Sequence, residues 1–276
     1  MQKSPATRNG DLYSQEFYPE NLSSYKIYFL SITRRKAMVG QGLSSRVLIK
    51  FSGESLHSSA EETFDAPAVR TLVQVLKRAV EDGIECGVVI GAGNLFRGKE
   101  SRALGLERVV GDHVGMLGTV MNALVVRDAL LQEGVIAHVM SPIAHIPSVL
   151  PLDPLLARTL IAKKELVLFA GGTGNAFFTT DSAAALRALD IGASLLIKAT
   201  KVPGVYSKDP EQHADAKKYQ EISFDDVLKR RLGIMDHAAI AIAMQYELSI
   251  FVYKFGDPIS ILEAIQSDKG TFIVPK

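Results

Sequence analysis

The sequence predicts an α/β fold in which a mainly parallel sheet is covered by helices on both faces. From Arg46 onward, short apolar runs of strand length alternate with longer helical patterns, an order typical of such a sheet. Glycine clusters follow three of the apolar runs, at the carboxyl ends of strands, where open parallel sheets bind their ligands. We therefore expect a single domain over residues 46–276 with its ligand crevice at that edge.

Six apolar runs are predicted as strands, and three longer segments are predicted as helices. The strands are expected over residues 46–51, 85–90, 135–140, 166–170, 194–199 and 249–253. The first helix begins near Pro67 and ends near Gly83, since proline suits a first helical turn and glycine suits the position after the last. Apolar residues recur within it at spacings of three and four. The other helices are expected over 112–133 and 181–189.

Residues 1–45 have a different texture, with aromatic residues scattered among Ser, Asn and Gln without a sustained period. They match neither a secretory signal nor a transit peptide. We interpret them as an N-terminal extension that is poorly ordered, or as an artefact of the gene model if translation begins at Met38.

The composition excludes several classes of function. With 31 basic and 30 acidic residues the net charge is +1, so no basic field favours nucleic acid or an anionic membrane. The single cysteine, Cys86, excludes an intrachain disulfide and a cysteine-rich zinc site, and it fits the cytoplasm. No uninterrupted apolar run reaches the roughly 18 residues of a membrane span, so a soluble protein is expected.

Several motifs are compatible with phosphate binding, although each has a structural alternative. Lys50 ends an apolar strand and needs an anionic partner, which a phosphate would supply. Arg97 follows the Gly91–Gly93 turn and suits bidentate phosphate contact. On local grounds alone, Asp112 is best explained as a helix N-cap, and Asp181 is open to the same interpretation.

Other motifs are absent from the sequence. It lacks a G-x-G-x-x-G dinucleotide fingerprint, a Walker A motif, a histidine pair with metal-ligand spacing and a G-x-S-x-G nucleophile turn. Dehydrogenases, P-loop kinases, histidine metal sites and serine hydrolases are therefore disfavoured.

Four phrases in register, at residues 90–98, 109–113, 173–182 and 198–202, resemble those of bacterial uridylate kinases, members of the amino acid kinase fold family. The resemblance covers about residues 46–276 and includes Met121-Asn122 and residues 127–130. It implies a three-layer α/β/α sandwich, usually a homohexamer, that phosphorylates UMP with ATP. It also implies Mg²⁺ that is carried by ATP without a direct protein ligand.

The same resemblance implies roles for individual residues. Catalytic roles fall on Lys50, Asp181 and Lys198. The residues expected to bind ATP are Lys50, Phe51, Ser52, Gly53, Gly93, Arg97, Thr200, Tyr206 and Asp209. The residues expected to bind UMP are Ala92, Asp112, Thr173, Gly174, Asn175, Ala176, Phe177, Phe178, Thr179 and Thr180.

Three departures from the family pattern bear on these expectations. Ala176 stands where proline is common, and activity should survive this change. Ala92 replaces a glycine and is tolerable only if its φ is negative. Leu131, His138 and Glu165 stand where basic or histidine residues are often seen, so we expect no strong activation by GTP.

Two alternatives remain open. Other members of the fold family phosphorylate carboxylates or carbamates, and fold alone does not separate them from a nucleotide kinase. A non-catalytic uridylate-binding regulator is the second alternative, although retention of the three catalytic candidates argues against it.

Overall fold

The structure is a computed structural model that describes residues 46–275, apart from 59–61, 144–145, 211, 257–260 and 268. The predicted extension over residues 1–45 lies outside the described residues. The strands are β1 Arg46–Phe51, β2 Glu85–Ile90, β3 Ala137–Ser141, β4 Leu150–Pro151, β5 Leu166–Phe169, β6 Leu195–Thr200, β7 Glu221–Ser223, β8 Ile250–Lys254 and β9 Gly270–Val274.

In the described part of the chain these strands form one sheet in the order β4-β3-β5-β2-β1-β6-β8-β9-β7. All pairings are parallel except that of β8 with β9. The central strands read as almost continuous apolar runs because both faces of the sheet are covered.

Helices pack on both faces of the sheet. They are α1 Ala66–Glu81, α2 Gly98–Ala103, α3 Arg108–Gln132, α4 Pro154–Ala162, α5 Thr180–Ile191, α6 Phe224–Lys229, α7 His237–Gln245 and α8 Ile261–Gln266. One core cluster joins the sheet to α1, α3 and α8, and the other joins it to α4, α5, α6 and α7. The result is the expected three-layer α/β/α sandwich with a mainly parallel sheet.

The predicted helices and strands agree with the structure at the centre of the sheet and differ toward its edges. Strands β1 and β2 have the predicted bounds, whereas β3 is displaced to Ala137–Ser141. Strands β4, β7 and β9 were not predicted. The first two are only two and three residues long, and β4 ends in a proline that suits a sheet edge.

Helix α3 begins at Arg108, with Glu107 at the N-cap position, so the prediction of a start at Asp112 was wrong. Asp112 lies inside the first turns and is not an N-cap. Helix α5 begins at Thr180, and its N-cap is Thr179, whose hydroxyl accepts a hydrogen bond from the Asp181 amide. The N-cap interpretation of Asp181 is therefore also wrong.

Among the described residues, α3 is the one helix that is long and apolar enough, by length and composition alone, to cross a membrane. Of its most apolar 18-residue stretch, 44% is buried inside the structure. Core helices of folded domains meet the same criterion, so this is weak support for a membrane span.

Candidate active site

Two lysines and one aspartate meet at the carboxyl ends of β1 and β6. Lys50 and Lys198 are register partners on these adjacent parallel strands, which places their side chains next to each other. Asp181, in the first turn of α5, lies between them: its Oδ1 is 2.8 Å from Lys50 Nζ, and its Oδ2 is 2.8 Å from Lys198 Nζ. The three side chains are only 11–14% exposed. We call these three residues the charged cluster.

Burial and charge act in opposite directions on this cluster. Burial raises the pKa of Asp181, but the charges of Lys50 and Lys198 outweigh burial and hold that pKa below its ordinary value. Burial lowers the pKa of Lys198, and the charge of Asp181 offsets only part of that effect. Asp181 is therefore firmly ionised, while Lys198 loses its proton more readily than an exposed lysine.

The first glycine turn follows β2 and packs directly on the segment after β1. Gly91 donates its amide to the Phe51 carbonyl at 3.0 Å. A Cβ on Gly53 would lie 2.5 Å from the Gly91 oxygen and 2.6 Å from the Gly93 nitrogen, so the contact requires glycine at position 53. The φ of Ala92 is not positive, so the backbone at this position accommodates an alanine methyl group in place of the usual glycine.

The second glycine turn follows β5 and leads into α5. Gly171, Gly172 and Gly174 have φ values of 76°, 59° and 84°, which glycine adopts readily. Phe177 has φ 72°, and its amide donates to Asp112 Oδ2 at 2.7 Å. Asp112 thus connects α3 to the second turn, and Arg108 pairs with the same carboxylate at 2.8 Å.

A cavity of about 470 Å³ lies between α2, α3 and the second turn. Six residues predicted to bind UMP or ATP line it: Ala92, Gly93, Asp112, Phe178, Thr179 and Thr180. Two further cations, Arg102 and Arg108, lie at its wall and were not predicted as site residues.

The remaining candidates lie around the first turn and beyond β6. Arg97 donates to the Gly93 carbonyl at 2.6 Å and lies 3.2 Å from a Glu54 oxygen. The side chain of Phe51 is fully buried, so only its backbone can contact a ligand. Thr200 is the last residue of β6. Tyr206 and Asp209 lie in the segment that follows β6, and none of the three lines the cavity.

Glu54 was not predicted as a site residue, yet it forms ion pairs with cations from two loops. Its carboxylate lies 3.2 Å from Arg97 and 2.7 Å from Lys201. The hydrogen bond from Lys201 lowers the pKa of Glu54 below its ordinary value. An acidic residue directly after the Lys50-Phe51-Ser52-Gly53 segment was the signal that could have identified it.

Asp236 was also missed, because it lies far from the recognised motifs in sequence. It caps α7 by accepting from the Ala239 amide at 2.8 Å, and it accepts hydrogen bonds from Thr179 and Ser182 on the other helix of the crevice. Lys198 donates to the carbonyl of the nearby Ile234. The Ile234–Asp236 segment therefore supports both Lys198 and the start of α5.

Comparisons with known proteins agree with this geometry. The model of the amino acid kinase family matches residues 45–254. A uridylate kinase of Chromohalobacter salexigens is 43% identical over 229 residues, covering 83% of this chain and 90% of the relative. The uridylate kinase of Thermosipho melanesiensis is 42% identical over 232 residues, covering 84% and 99%. A crystal structure of UMP kinase from Bacillus anthracis superposes with a TM-score of 0.80 at 32% identity, covering 83% of this chain and 96% of that one.

Proposed function

We propose that this chain, which belongs to the amino acid kinase family, transfers the γ-phosphate of ATP to UMP. The observation that carries the proposal is the charged cluster Lys50–Asp181–Lys198, placed beside two glycine turns and a cavity. Its relatives over most of the chain are uridylate kinases, which favours UMP over a carboxylate as the acceptor.

ATP is assigned to the side of the crevice formed by β1, the first glycine turn and the segment after β6. Lys50, Gly53 and Arg97 would contact its phosphates, with further contacts from Phe51 (through its backbone), Ser52 and Gly93. Thr200, Tyr206 and Asp209 are assigned to the adenine and ribose. Support comes from the close packing of Gly53 against the Gly91–Gly93 turn, which brings that turn next to the end of the strand that carries Lys50.

UMP is assigned to the cavity, where Asp112 and the second turn form one wall. The residues assigned to it are Ala92, Asp112, Thr173, Gly174, Asn175, Ala176, Phe177, Phe178, Thr179 and Thr180. Phe177 and Phe178 are 65% and 47% exposed, which makes aromatic surface available for a base. Arg102 and Arg108 supply positive charge at the same wall.

The chemistry requires positioning and charge neutralisation. A nucleoside monophosphate with a second pKa of about 6 is largely dianionic at neutral pH, so its attacking oxygen needs no general base. The obstacle is the approach of two anions, which Lys50, Lys198 and the turn amides would offset. Asp181 keeps the two lysines side by side at the crevice.

Magnesium fits this site as a companion of the ATP phosphates. Both oxygens of Asp181 are engaged by lysines, and Glu54 is engaged by Arg97 and Lys201. Among the described residues, no group of three or more His, Cys, Asp or Glu side chains could hold a metal ion. When bound, Mg²⁺ would neutralise phosphate charge, and the chain's own carboxylates would act on the lysines.

At the level of the whole protein, we propose a cytoplasmic homohexamer whose catalytic domain spans residues 46–276. Five apolar residues on one face of α3 are 36% exposed or more, which supports self-association: Val110, Val114, Leu117, Met121 and Val125. GTP activation is expected to be weak. His138 lies 2.6 Å from Glu165, so that position presents a carboxylate beside the imidazole.

The test is ADP release from Mg-ATP with UMP, CMP, dUMP or N-acetylglutamate offered separately. Selective turnover of UMP is expected, and Lys50→Met should lower kcat by about 10²–10³-fold because a phosphate-contacting charge is lost. Turnover only with N-acetylglutamate would assign the chain to carboxylate phosphorylation. No turnover with any acceptor would favour a uridylate-binding regulator.

A further inference from the structure

Helix α3 passes behind both glycine turns and directs two buried polar side chains at them. Thr119 and Asn122 are 3% and 0% exposed, in a helix whose other buried side chains are apolar or small. They are three residues apart, so they share one face and are separated by about 4.5 Å along the helix axis. Each contacts a different turn.

Asn122 holds the first turn. Its Nδ2 donates to the Gly91 carbonyl at 2.7 Å and to Asn94 Oδ1 at 2.8 Å. Asn94 Nδ2 donates back to Asn122 Oδ1 at 3.0 Å and also to the Thr63 carbonyl at 2.9 Å. The two amides therefore use their hydrogen-bonding capacity on each other and on the backbone, at the point where Gly53 packs on the turn.

Thr119 holds the second turn. Its Oγ1 accepts a hydrogen bond from the Gly171 amide at 2.7 Å and donates to the Met116 carbonyl at 2.6 Å. The hydroxyl is thereby oriented with its lone pair toward Gly171, the first residue of the turn that leads to Asp181. A buried amide without such an acceptor would be costly.

We infer that Thr119 and Asn122 are a pair of positioning residues that fix the spacing of the two glycine turns and so align donor and acceptor. The inference rests on the proposed function, in which the first turn lies on the ATP side of the crevice and the second turn forms a wall of the UMP cavity. The spacing is set by one rigid helix, since both contacts come from adjacent turns of α3. Phosphoryl transfer depends on such alignment, and a displacement of about 1 Å can cost on the order of 10²-fold in rate.

The experiment compares Thr119→Val, which keeps the shape but removes the acceptor for Gly171, with Thr119→Ser, which retains the hydroxyl. Thr119→Val should lower kcat by at least about tenfold, while equilibrium binding of ATP and of UMP each changes by less than about threefold. Thr119→Ser should restore kcat to within about twofold of the unmodified protein. Amide hydrogen exchange at Gly171 should be faster in Thr119→Val alone.

A second variant, Asn94→Ala, removes one half of the amide pair without changing α3 and should also lower kcat more than it weakens binding. The stability control is Leu130→Ala, which truncates a fully buried side chain near the C-terminal end of α3, away from both turns. It should lower Tm and leave kcat within about twofold.

Three results would overturn the inference: unchanged kcat in Thr119→Val, equal losses in Thr119→Val and Thr119→Ser, or an equal loss in Leu130→Ala. Absence of UMP turnover by the unmodified protein in the same series would overturn the proposed function as well. The two failures are thus distinguished by the unmodified protein.

Discussion

At the scale of single residues, the position of Asp112 excludes helix capping as its role. Because α3 begins four residues earlier, at Arg108, the Asp112 carboxylate is free of a capping role. It accepts from the Phe177 amide at 2.7 Å and pairs with Arg108 at the wall of the cavity. It is thus placed to contact a ligand and to hold the second turn.

We expect Asp112→Asn to raise the KM for UMP by about ten- to hundredfold, since a hydrogen bond to a charged group contributes about 1.5–3 kcal/mol. Tm should change little. Steady-state kinetics with UMP as the varied substrate, together with a thermal melt, measure both quantities. Asp82→Asn is the matched control, because Asp82 pairs with Arg78 four residues earlier at 3.2 Å and lies outside the cavity lining, and it should leave the KM for UMP unchanged. A fall in Tm with an unchanged KM would contradict the assignment.

The lowered pKa of Lys198 leads us to expect that kcat depends on pH. Burial lowers its pKa below the ordinary lysine value of 10.5, with Asp181 offsetting part of the effect. The Lys198 side chain is positively charged below its pKa and loses that charge as the pH rises through the pKa. Since the pKa is lowered, kcat should decline on the alkaline side before pH 10.5 is reached. A kcat profile from pH 7 to 10.5 measures this.

Lys77→Gln provides the matched control for that profile, because Lys77 is a surface lysine paired with Glu133 at 2.9 Å and lies outside the crevice. Its alkaline limb should match that of the unmodified protein. A profile that stays flat to pH 10.5 would remove Lys198 from the charge that acts on the phosphates.

At the scale of helices and strands, Asp236 links two helices of the crevice, and a matched N-cap elsewhere tests its role. Helices α4 and α7 are both nine residues long and both begin after an aspartate that accepts backbone amides, Asp153 and Asp236. Of the two, only Asp236 also accepts hydrogen bonds from Thr179, the N-cap of α5, and from Ser182 in its first turn. Its removal should therefore affect both stability and the placement of Asp181.

We expect Asp153→Ala to cost about 1 kcal/mol, which corresponds to roughly 2–4 °C in Tm, and Asp236→Ala to cost more, because the hydroxyls of Thr179 and Ser182 also lose their acceptor. Only Asp236→Ala should also lower kcat, by about tenfold or more, because the start of α5 loses its support. Thermal melts and kinetics on both variants measure this. Equal kcat values in the two variants would show that Asp236 acts only as a cap.

The sequence predicted the central strands and the crevice because each of these depends on local patterns. Val47, Leu48 and Ile49 form an apolar run that is buried on both faces, and a glycine turn marks where a strand ends. It could not predict β9, a short run whose antiparallel pairing with β8 depends on Gly270 packing against the Phe251 ring. Local patterns do not identify the partner of Lys50, because Asp181 is 131 positions away; the family resemblance grouped the two residues, and the fold brings them together.

At the scale of the whole molecule, α3 has two functionally different faces. The buried face carries Thr119 and Asn122, which contact the turns. The opposite face exposes an apolar stripe that includes Leu117 and Met121, at 53% and 52% exposure. Exposed apolar stripes of this kind mark surfaces that other proteins cover. If the proposed self-association uses this face, the crevice and the interface share one helix.

Leu117→Glu tests that arrangement, since it places a charge in the stripe without entering the core. Burial of a leucine contributes about 1.5–3 kcal/mol, so self-association should weaken by roughly ten- to hundredfold. Sedimentation velocity at micromolar concentration should then show smaller species than the unmodified chain. Gln245→Glu adds the same charge at an exposed position on α7 and should leave the assembly intact. Identical sedimentation of Leu117→Glu and the unmodified chain would place the interface on another surface and separate assembly from the helix that aligns the two glycine turns.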